Sequence, residues 1–310
     1  MMIQGCLSLA PDVPGPGDLA TRATPAFQPT GASQPTGATQ PSRAIQPSRA
    51  TQPSRATQPS RAIQPSRALQ LCRAYQVDLA DRAERAELAV VHTPGWLIAQ
   101  FATVHAVASW AVVGGGLRTA RAVAWLQVVD DDLPPAVDAA AFLRGRLAAA
   151  GLPGAVGLLT TRRLDRYVDV TARHGGLAAR CIATVGLGNA LRAGDPPGGS
   201  RPGTINVLCQ VSAALSPDAR LEALALAAEA RTLAVCEARV SSTRTGRPAS
   251  GTGTDCIVIA APQAGAAAAY AGKHTAIGHV IGAAVHEATR RGVACCQRER
   301  AARLAGEVSR

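Results

Sequence analysis

Aromatic side chains are scarce in this sequence, since three Trp, three Tyr and three Phe make up only 3% of 310 residues. No stretch of 18 uncharged apolar residues occurs, and the first 18 residues have neither a basic start nor a sustained apolar run. The first absence argues against a nucleic-acid-stacking protein, and the others argue against a membrane-spanning helix and a secretory signal. We therefore expect a cytoplasmic protein with no membrane partner.

Paired metal-ligand or disulfide patterns are also missing. The eight cysteines show no CxxC spacing, and several, such as Cys181 and Cys209, lie inside apolar runs, so buried reduced thiols are expected. His279 and His286 are seven residues apart without an acidic or cysteine partner, which is poor support for a metal centre. We predict two solvent-facing histidines there, and no metal ligands.

A low-complexity segment occupies most of the first quarter of the chain. Residues 28–69 repeat a six-residue unit seven times, from QPTGAS to QPSRAL, and each unit carries one proline and at most one large apolar residue. Such a segment cannot bury enough apolar surface to offset its ordering entropy, and proline interrupts any helix. We predict that residues 1–75 are disordered.

The positive charge of the chain is divided between this segment and the rest. The formal net charge is +11, and residues 1–75 contribute +5 of it through seven Arg and two Asp, which leaves +6 for the remainder. The predicted folded part is therefore moderately basic. Evenly spaced arginines can contact phosphate backbones weakly, so a nucleic-acid-binding tail is an alternative to a solubilising extension.

The remaining chain has the pattern of one globular domain over residues 76–295, followed by a charged tail at 296–310. Two β-branched runs, at 107–116 and 122–135, predict strands that pair as neighbours. Strands and helices then follow one another along the chain. This order favours an α/β domain, or an α+β domain as the alternative, with a mixed sheet and flanking helices.

The second half of that domain has the clearest element boundaries. Residues 204–212 alternate apolar and polar side chains, which predicts a strand whose polar face, including Asn206, meets a ligand. A serine cap followed by proline begins a helix over 216–236, and residues 255–262 predict a short buried strand. An apolar stripe predicts a last helix from Thr275 that ends at Gly292.

A hydroxyl-rich loop at 241–255 ends in SGTGTD and carries most of the candidate chemistry. Its glycines allow close backbone approach, so the amides of Gly251, Thr252, Gly253 and Thr254 are candidate donors to a phosphate or to an oxyanion. The loop is no P-loop, because a threonine stands where the lysine belongs and no helix pattern follows. A plain surface turn is the alternative.

Three titratable residues are candidates for proton transfer. Asp255 adjoins a buried strand, where it can act as a general base or simply bond to its own loop amides. Glu229 lies on the predicted helix either at a packed boundary or on the surface. His274 precedes the cap of the last helix, where the helix dipole favours a neutral ring that accepts a proton.

Polar and aromatic side chains elsewhere are candidates for binding a substrate. Asn206 and Asn189 can read amide groups, although hydrogen bonding within a turn or strand edge explains them equally well. Trp110, next to three glycines, can cover a flat ligand face, while burial in the core is the more usual role of tryptophan.

The order of these segments and the residues in them resemble the motifs of the adenosylcobinamide amidohydrolase family of corrinoid salvage. The resemblance covers the predicted folded part nearly end to end. SGTGTD, EARTLAV and YAGKHTAIGHVIGAAV, correctly ordered and spaced, are its specific part. The matching blocks occupy residues 109–117, 157–164, 183–195, 203–208, 229–235, 250–255 and 270–285.

The resemblance implies hydrolysis of the amide that joins aminopropanol to the corrin ring, giving adenosylcobyric acid. The corrinoid is then the small-molecule partner, no nucleic acid takes part, and no separate cofactor is required. Asn206, Asn189, Arg192, Arg244 and the loop hydroxyls are candidates to hydrogen-bond the many amides of such a substrate. The competing classes are a corrinoid carrier that leaves the amide intact and, with less support, the nucleic-acid-binding module.

Two catalytic routes follow from residue chemistry and stay open. In one, water attacks with Asp255 or Glu229 as base, His274 carries a proton to the leaving amine, and the 251–254 amides hold the oxyanion. In the other, Thr252 or Thr254 is a covalent nucleophile. Metal-assisted hydrolysis is a further alternative, although the sequence has no recognisable set of metal ligands for it.

Overall fold

The computed structural model describes residues 88–129, 132–134, 137–199 and 201–308. The segment predicted to be disordered, 1–75, lies outside this part of the chain. Within the described ranges, no helix has the length and apolarity needed to cross a membrane. The strands are β1 Leu88–Thr93, β2 Trp96–Ser109, β3 Gly116–Gln127, β4 Val156–Thr160, β5 Val168–His174, β6 Leu177–Val185, β7 Ala190–Leu191, β8 Ile205–Val211, β9 Gly251–Thr252 and β10 Cys256–Pro262. The helices are α1 Ala139–Ala149, α2 Pro217–Glu237 and α3 Ala276–Val308.

Eight of the strands form one mixed sheet. Its order is β4-β3-β2-β10-β8-β6-β5, and β1 pairs with β2 off this path. The pairs β3–β4 and β8–β10 are parallel and the others are antiparallel, while β7 and β9 form a separate two-stranded ribbon. The predicted mixed sheet with flanking helices in one domain is confirmed. Strands β2 and β3 are neighbours as expected, but the predicted run 107–116 is only in part a strand: residues 107–109 end β2 and pair with the start of β3, whereas residues 122–126 pair with the start of β2.

The sheet curls so that its two halves face each other. The Asn206 side chain in β8 donates to the Leu159 carbonyl in β4 at 2.7 Å, and the Arg180 side chain in β6 donates to the Leu88 carbonyl in β1 at 2.7 Å. A bulge in β2 between Gln100 and His105 interrupts its register with β3, and bulges bend strands in this way. A buried apolar core that includes Phe101, Trp125, Ile182 and Leu208 fills the space between the halves.

Helices cover the outer faces of this folded sheet. The helices α2 and α3 pack on the half formed by β10, β8, β6 and β5. On the other half, α1 packs against β3 and β4 through Leu143 and Leu147. The described domain is therefore layered as helix, sheet, sheet and helix, with β8 buried along its whole length and β10 along most of its length.

Local sequence explains where the helices begin. Ser216 accepts a hydrogen bond from the Ala219 amide at 3.1 Å and Pro217 is the first helical residue, as predicted for α2. The Thr275 hydroxyl accepts from the Gly278 amide at 2.9 Å, so it caps α3 as predicted.

The predicted end of the last helix is wrong. Helix α3 continues through Gly292 to Val308, and so crosses the expected start of the charged tail at 296. Gly292 packs against Val185 of β6, and a Cβ atom at this position would collide with the valine side chain. The glycine is needed for close helix-to-sheet packing and does not end the helix.

Candidate active site

Asp255 is the centre of a polar cluster where β8 and β10 begin. Its side chain is 6% exposed. Its Oδ1 accepts hydrogen bonds from the Ile205 amide at 3.0 Å and from the Thr252 hydroxyl. Its Oδ2 accepts from the Thr252 amide at 2.9 Å and from the Arg231 guanidinium. A carboxylate has about four acceptor positions, so these four donors occupy them. Asp255 therefore fastens the 250–254 loop to the edge of the sheet.

Arg231 of α2 supplies the opposite charge. Its side chain is 12% exposed, and its Nη1 donates both to Asp255 and to the Ser250 carbonyl at 2.9 Å. The guanidinium lies against Gly251, where an added Cβ would collide with it. Glycine is thus required at 251 because a buried ion pair passes directly over the backbone. The pair compensates the burial of both charges, which is otherwise strongly unfavourable.

The loop amides proposed as oxyanion donors are partly occupied. The Thr252 amide donates to Asp255, and the Gly253 amide donates to the Asn189 carbonyl at 3.1 Å. Two of the four predicted donors are therefore engaged within the protein. Thr254 is exposed, and its hydroxyl donates weakly to the Gly203 carbonyl at 3.4 Å.

Trp110 borders the same cluster at the surface. Its indole Nε1 donates to the backbone carbonyl of Asp255 at 2.6 Å, yet 44% of the residue is exposed. The expectation of a core tryptophan is wrong, because the residue lies in the turn after β2, where no element of the described chain covers the ring. Val112 in the same turn is 36% exposed. Together they place an apolar surface beside Asp255.

The thiol of Cys256 lies beneath this surface. The residue is 7% exposed, and its Sγ is 3.8 Å from the Trp110 carbonyl oxygen. Burial, with a smaller contribution from the negative charge of Asp255, raises the pKa of the thiol to about 11. Cys256 is therefore a neutral packing residue, as its apolar surroundings in the sequence indicate.

Asn189 and Arg244 meet at one small cavity of about 400 Å³. Asn189 is 3% exposed, and its side-chain amide packs against Gly253, where a Cβ would come within 2.6 Å of it. The guanidinium of Arg244 donates to the Pro196 and Gly199 carbonyls at 3.0 and 3.1 Å. Two predicted binding residues therefore line one cavity, and Asn189 connects it to the 250–254 loop through its contact with Gly253.

Arg192 has a similar tethering contact. Its Nη1 donates to the Pro248 carbonyl at 3.1 Å, across the loop that also contains Arg244. Asp195 reinforces this connection by accepting from the Ser242 hydroxyl at 2.5 Å and from the Thr245 hydroxyl at 2.8 Å. The hydroxyl of Ser242 and the amide of Arg192 hold the pKa of the Asp195 carboxyl below its ordinary value.

Asn206 does not face a ligand at the surface. The residue is fully buried, donates to Leu159 and lies within hydrogen-bond reach of Thr204. The prediction that the polar face of β8 is available to a ligand is wrong, because the folded-over half of the sheet covers that face. Asn206 instead joins the two halves close to Asp255.

Glu229 and His274 lie away from the Asp255 cluster. Glu229 forms an ion pair with Lys273, and the two side chains are 58% and 68% exposed. His274 is exposed and follows the carboxyl end of β10, whereas Asp255 precedes its amino end. Seven residues of extended strand span roughly 23 Å. The structure does not bring together the three titratable residues considered for proton transfer.

Histidines of α3 have other neighbours. The Nε2 atom of His286 is 2.7 Å from a carboxylate oxygen of Glu237, and the ring of His279 packs on that of His174 with centroids 4.8 Å apart. Within the described ranges, no group of three or more His, Cys, Asp and Glu side chains is arranged to hold a metal ion.

Arg231 is the important residue that sequence reasoning missed. It lies four residues after Ala227 and three before Ala234, both fully buried. A charged residue at these spacings lies on the apolar face of an amphipathic helix. That position was the available signal, since a buried arginine requires a carboxylate partner.

Comparisons with known proteins place this chain in a family. A sequence profile described as adenosylcobinamide amidohydrolase matches residues 79–301. The adenosylcobinamide amidohydrolase of Halobacterium salinarum is 33% identical over 192 residues, which cover 57% of this chain and 75% of that protein.

Two solved structures are similar at low identity. A Burkholderia β-aminopeptidase has a TM-score of 0.33 and 13% identity, covering 64% of this chain and 78% of its own. A Pyrococcus horikoshii protein has a TM-score of 0.33 and 11% identity, covering 64% and 76%. The profile covers most of the described residues, and the halobacterial relative is matched over three quarters of its length. The chain therefore belongs to the adenosylcobinamide amidohydrolase family.

Proposed function

We propose that this protein hydrolyses the amide between the corrin ring side chain and aminopropanol in adenosylcobinamide, giving adenosylcobyric acid and 1-aminopropan-2-ol for corrinoid salvage. Family membership supports the amidohydrolase class. The observation that carries the assignment to this part of the molecule is the polar contact between the Thr252 hydroxyl and the buried carboxylate of Asp255, at a surface bordered by Trp110.

The surroundings of this contact suit a large substrate that is both apolar and rich in amides. The exposed faces of Trp110 and Val112 provide an apolar surface for the ring. The cavity at Asn189 and Arg244 supplies polar groups on the other side of the 250–254 loop. A corrinoid has a broad ring and peripheral amides, so it needs both kinds of surface.

Of the two catalytic routes, we favour the covalent route through Thr252. The four acceptor positions of Asp255 are occupied, so water has no free position on this carboxylate, whereas the Thr252 hydroxyl already donates to it. Glu229 and His274 take no part in this scheme, because they lie elsewhere. The amide of Thr254 remains a candidate donor to the oxyanion, whereas those of Thr252 and Gly253 donate within the protein.

The proposed reaction has two steps. Thr252 Oγ1 forms a bond to the amide carbon while its proton passes to Asp255 Oδ1, and the resulting tetrahedral intermediate expels aminopropanol, which takes that proton from Asp255 as it leaves. The product of this step is an ester between the corrin acid and Thr252. Water then attacks the ester carbon and gives a proton to Asp255 Oδ1, the Thr252 oxygen leaves and takes this proton, and adenosylcobyric acid is released. Arg231 keeps Asp255 in position throughout.

The test is to incubate the full-length protein with adenosylcobinamide, with and without exhaustive chelation, and to identify products by mass spectrometry. We expect both adenosylcobyric acid and free aminopropanol, in equal amounts and without dependence on added metal or cofactor. Tight binding with the substrate recovered whole would instead establish a carrier. Activity abolished by chelation and restored by one metal would contradict the metal-free route.

A further inference from the structure

A second, larger cleft of about 560 Å³ lies next to the candidate active site. It opens between the residues that follow α2, the last third of α3, and the chain at 187–188. Five arginines contribute to its walls, and Glu299 is the acidic residue among the lining side chains that the structure describes. The lining arginines are Arg162, Arg201, Arg239, Arg300 and Arg303.

Most of this positive charge is not neutralised by the described part of the protein. Arg162 pairs with Glu299 through its terminal nitrogens. Its side chain is only 10% exposed, and its Nε atom is buried without a hydrogen-bond partner among the described residues. Each of the other four arginines lacks an ion pair with any acidic side chain that the structure describes. A concave site with unpaired guanidinium groups attracts an anion.

The backbone at Arg239 supports a binding role. Arg239 follows the end of α2 with a φ of +53°, and it is the non-glycine residue with positive φ in the described chain. Glycine or asparagine normally occupies such a position after a helix, because a larger side chain is strained there. Residues with an unfavourable backbone conformation are concentrated at functional sites. The side chain of Arg239 lines the cleft, which supports a functional role for it there.

The cleft is continuous with the smaller cavity of the candidate active site. Arg201 and Thr243 line both. Asn189 lines the smaller cavity, and its backbone carbonyl accepts from Gly253, next to Thr252. A ligand can therefore extend from the region of the amide-cleaving loop toward the arginines.

From this arrangement we propose that the arginine-lined cleft binds a phosphate group next to the hydrolytic site. Guanidinium groups match phosphate oxygens with two parallel hydrogen bonds each, and several arginines together suit the double negative charge of a phosphate monoester or diphosphate. The concave shape and the volume of the cleft suit a small molecule. The positive charge of this cleft then serves to bind a ligand of the enzyme.

The phosphate has two possible sources with the same chemistry. It can be carried by the substrate as an ester on the aminopropanol hydroxyl, which adjoins the amide to be cleaved. It can also belong to a free phosphate or diphosphate compound that modulates the reaction. The first source rests on the proposed function, whereas binding of a phosphate group does not.

Isothermal titration calorimetry with pyrophosphate and with inorganic phosphate, at constant ionic strength, tests the binding itself. We expect saturable binding to the full-length protein and at least a tenfold weaker affinity in the Arg201→Gln/Arg239→Gly double variant. Glycine at 239 relieves the unfavourable backbone conformation, so a loss of folding is not expected. Arg121→Gln/Arg144→Gln, which changes two exposed arginines outside the cleft, is the matched control for the loss of two charges and should bind as the wild type does.

The source of the phosphate follows from turnover. A substrate-borne phosphate predicts a higher kcat/KM for adenosylcobinamide phosphorylated on the aminopropanol hydroxyl, and loss of this advantage in the double variant. A free phosphate compound predicts that pyrophosphate changes the KM for adenosylcobinamide in the wild type but not in the double variant.

Two results would overturn the proposal: no saturable binding by the wild type, or equal affinity in the double variant. Because calorimetry needs no turnover, failure of amide hydrolysis and failure of phosphate binding are separate outcomes.

Discussion

Two ion pairs on α2, only two residues apart in sequence, have opposite surroundings. Arg231 pairs with Asp255, with side-chain exposures of 12% and 6%, and this pair holds the candidate catalytic loop. Glu229 pairs with Lys273, with exposures of 58% and 68%, at the outer surface between α2 and α3. Both pairs join α2 to another element, but only the first removes charges from water.

Helix geometry explains the contrast. Residues two apart are rotated by about 200° around a helix axis, so they lie on opposite faces. One face of α2 packs on the sheet and the other meets solvent. Breaking the ion pair at 231 therefore lowers the free energy of unfolding much more than breaking the ion pair at 229. The presence of an ion pair is thus a poor guide to its contribution to stability, which depends on how deeply the two charges are buried.

The largest expected effect is at Thr252, which the buried pair holds in place. Thr252→Ala should lower kcat by about 10⁴-fold or more, since loss of a nucleophile removes the covalent route altogether. Thr252→Ser should keep substantial activity, and Thr254→Ala should lose at most about tenfold. Acid-quenched wild-type reactions should contain an ester adduct on Thr252, detected by peptide mass spectrometry. A Thr252→Ala enzyme within tenfold of wild type would favour direct attack by water.

The next effect concerns the buried pair itself. Arg231→Met leaves the Asp255 carboxylate buried without its partner and should lower the free energy of unfolding by about 3–5 kcal/mol. Chemical denaturation measures this loss. The double variant Arg231→Met/Asp255→Asn should recover part of the stability but not the activity, because the charge is gone while the loop has lost its anchor. A single variant as stable as wild type would contradict the compensating role of this pair.

A smaller effect is expected at the surface beside the pair. Trp110→Ala should raise KM for adenosylcobinamide about tenfold, which corresponds to about 1.4 kcal/mol of binding, with a smaller change in kcat. Trp110→Phe retains an aromatic face but not the hydrogen bond to Asp255, so it separates the two contributions. If both variants bind substrate like the wild type, the corrin ring does not contact this residue.

The smallest effect is expected at the exposed pair. Glu229→Gln should change the free energy of unfolding by less than about 1 kcal/mol, since exposed ion pairs contribute little. Activity should stay within twofold, in contrast to Arg231→Met. Measuring both variants in one denaturation series sharpens the comparison, and a large loss of kcat in Glu229→Gln would reinstate that carboxylate as a catalytic base.

Much of the fold was predictable because its signals are local. The Ser216-Pro217 cap, the buried strand after Asp255 and the Thr275 cap all act within a few residues, and each is present in the structure. The extension of α3 past Gly292 was not predictable in this way. A glycine that ends a helix and a glycine that packs on a strand look alike until Val185 is placed beside it.

Predictions for the candidate site were uneven for a related reason. The loop at 250–255 was identified from its glycines and hydroxyls, and it does lie beside Asn189 and Trp110. The grouping of Asp255 with His274 was not reproduced, because adjacent motifs in a chain can lie at opposite ends of one strand. Arg231 was overlooked because its partner is 24 residues away in sequence.

The sequence by itself determined the family, the order of strands and helices in the second half of the domain, and the caps that begin α2 and α3. These properties depend on the residues of short motifs, on hydrophobic periodicity and on contacts within one helical turn, all of which involve residues that are close in sequence. Only the tertiary structure decided which polar groups are buried. The curl of the sheet covers Asn206, the packing of α2 brings Arg231 over Gly251, and the turn after β2 leaves Trp110 open to solvent. Burial depends on which distant segments lie against a residue, and that is a property of the folded chain.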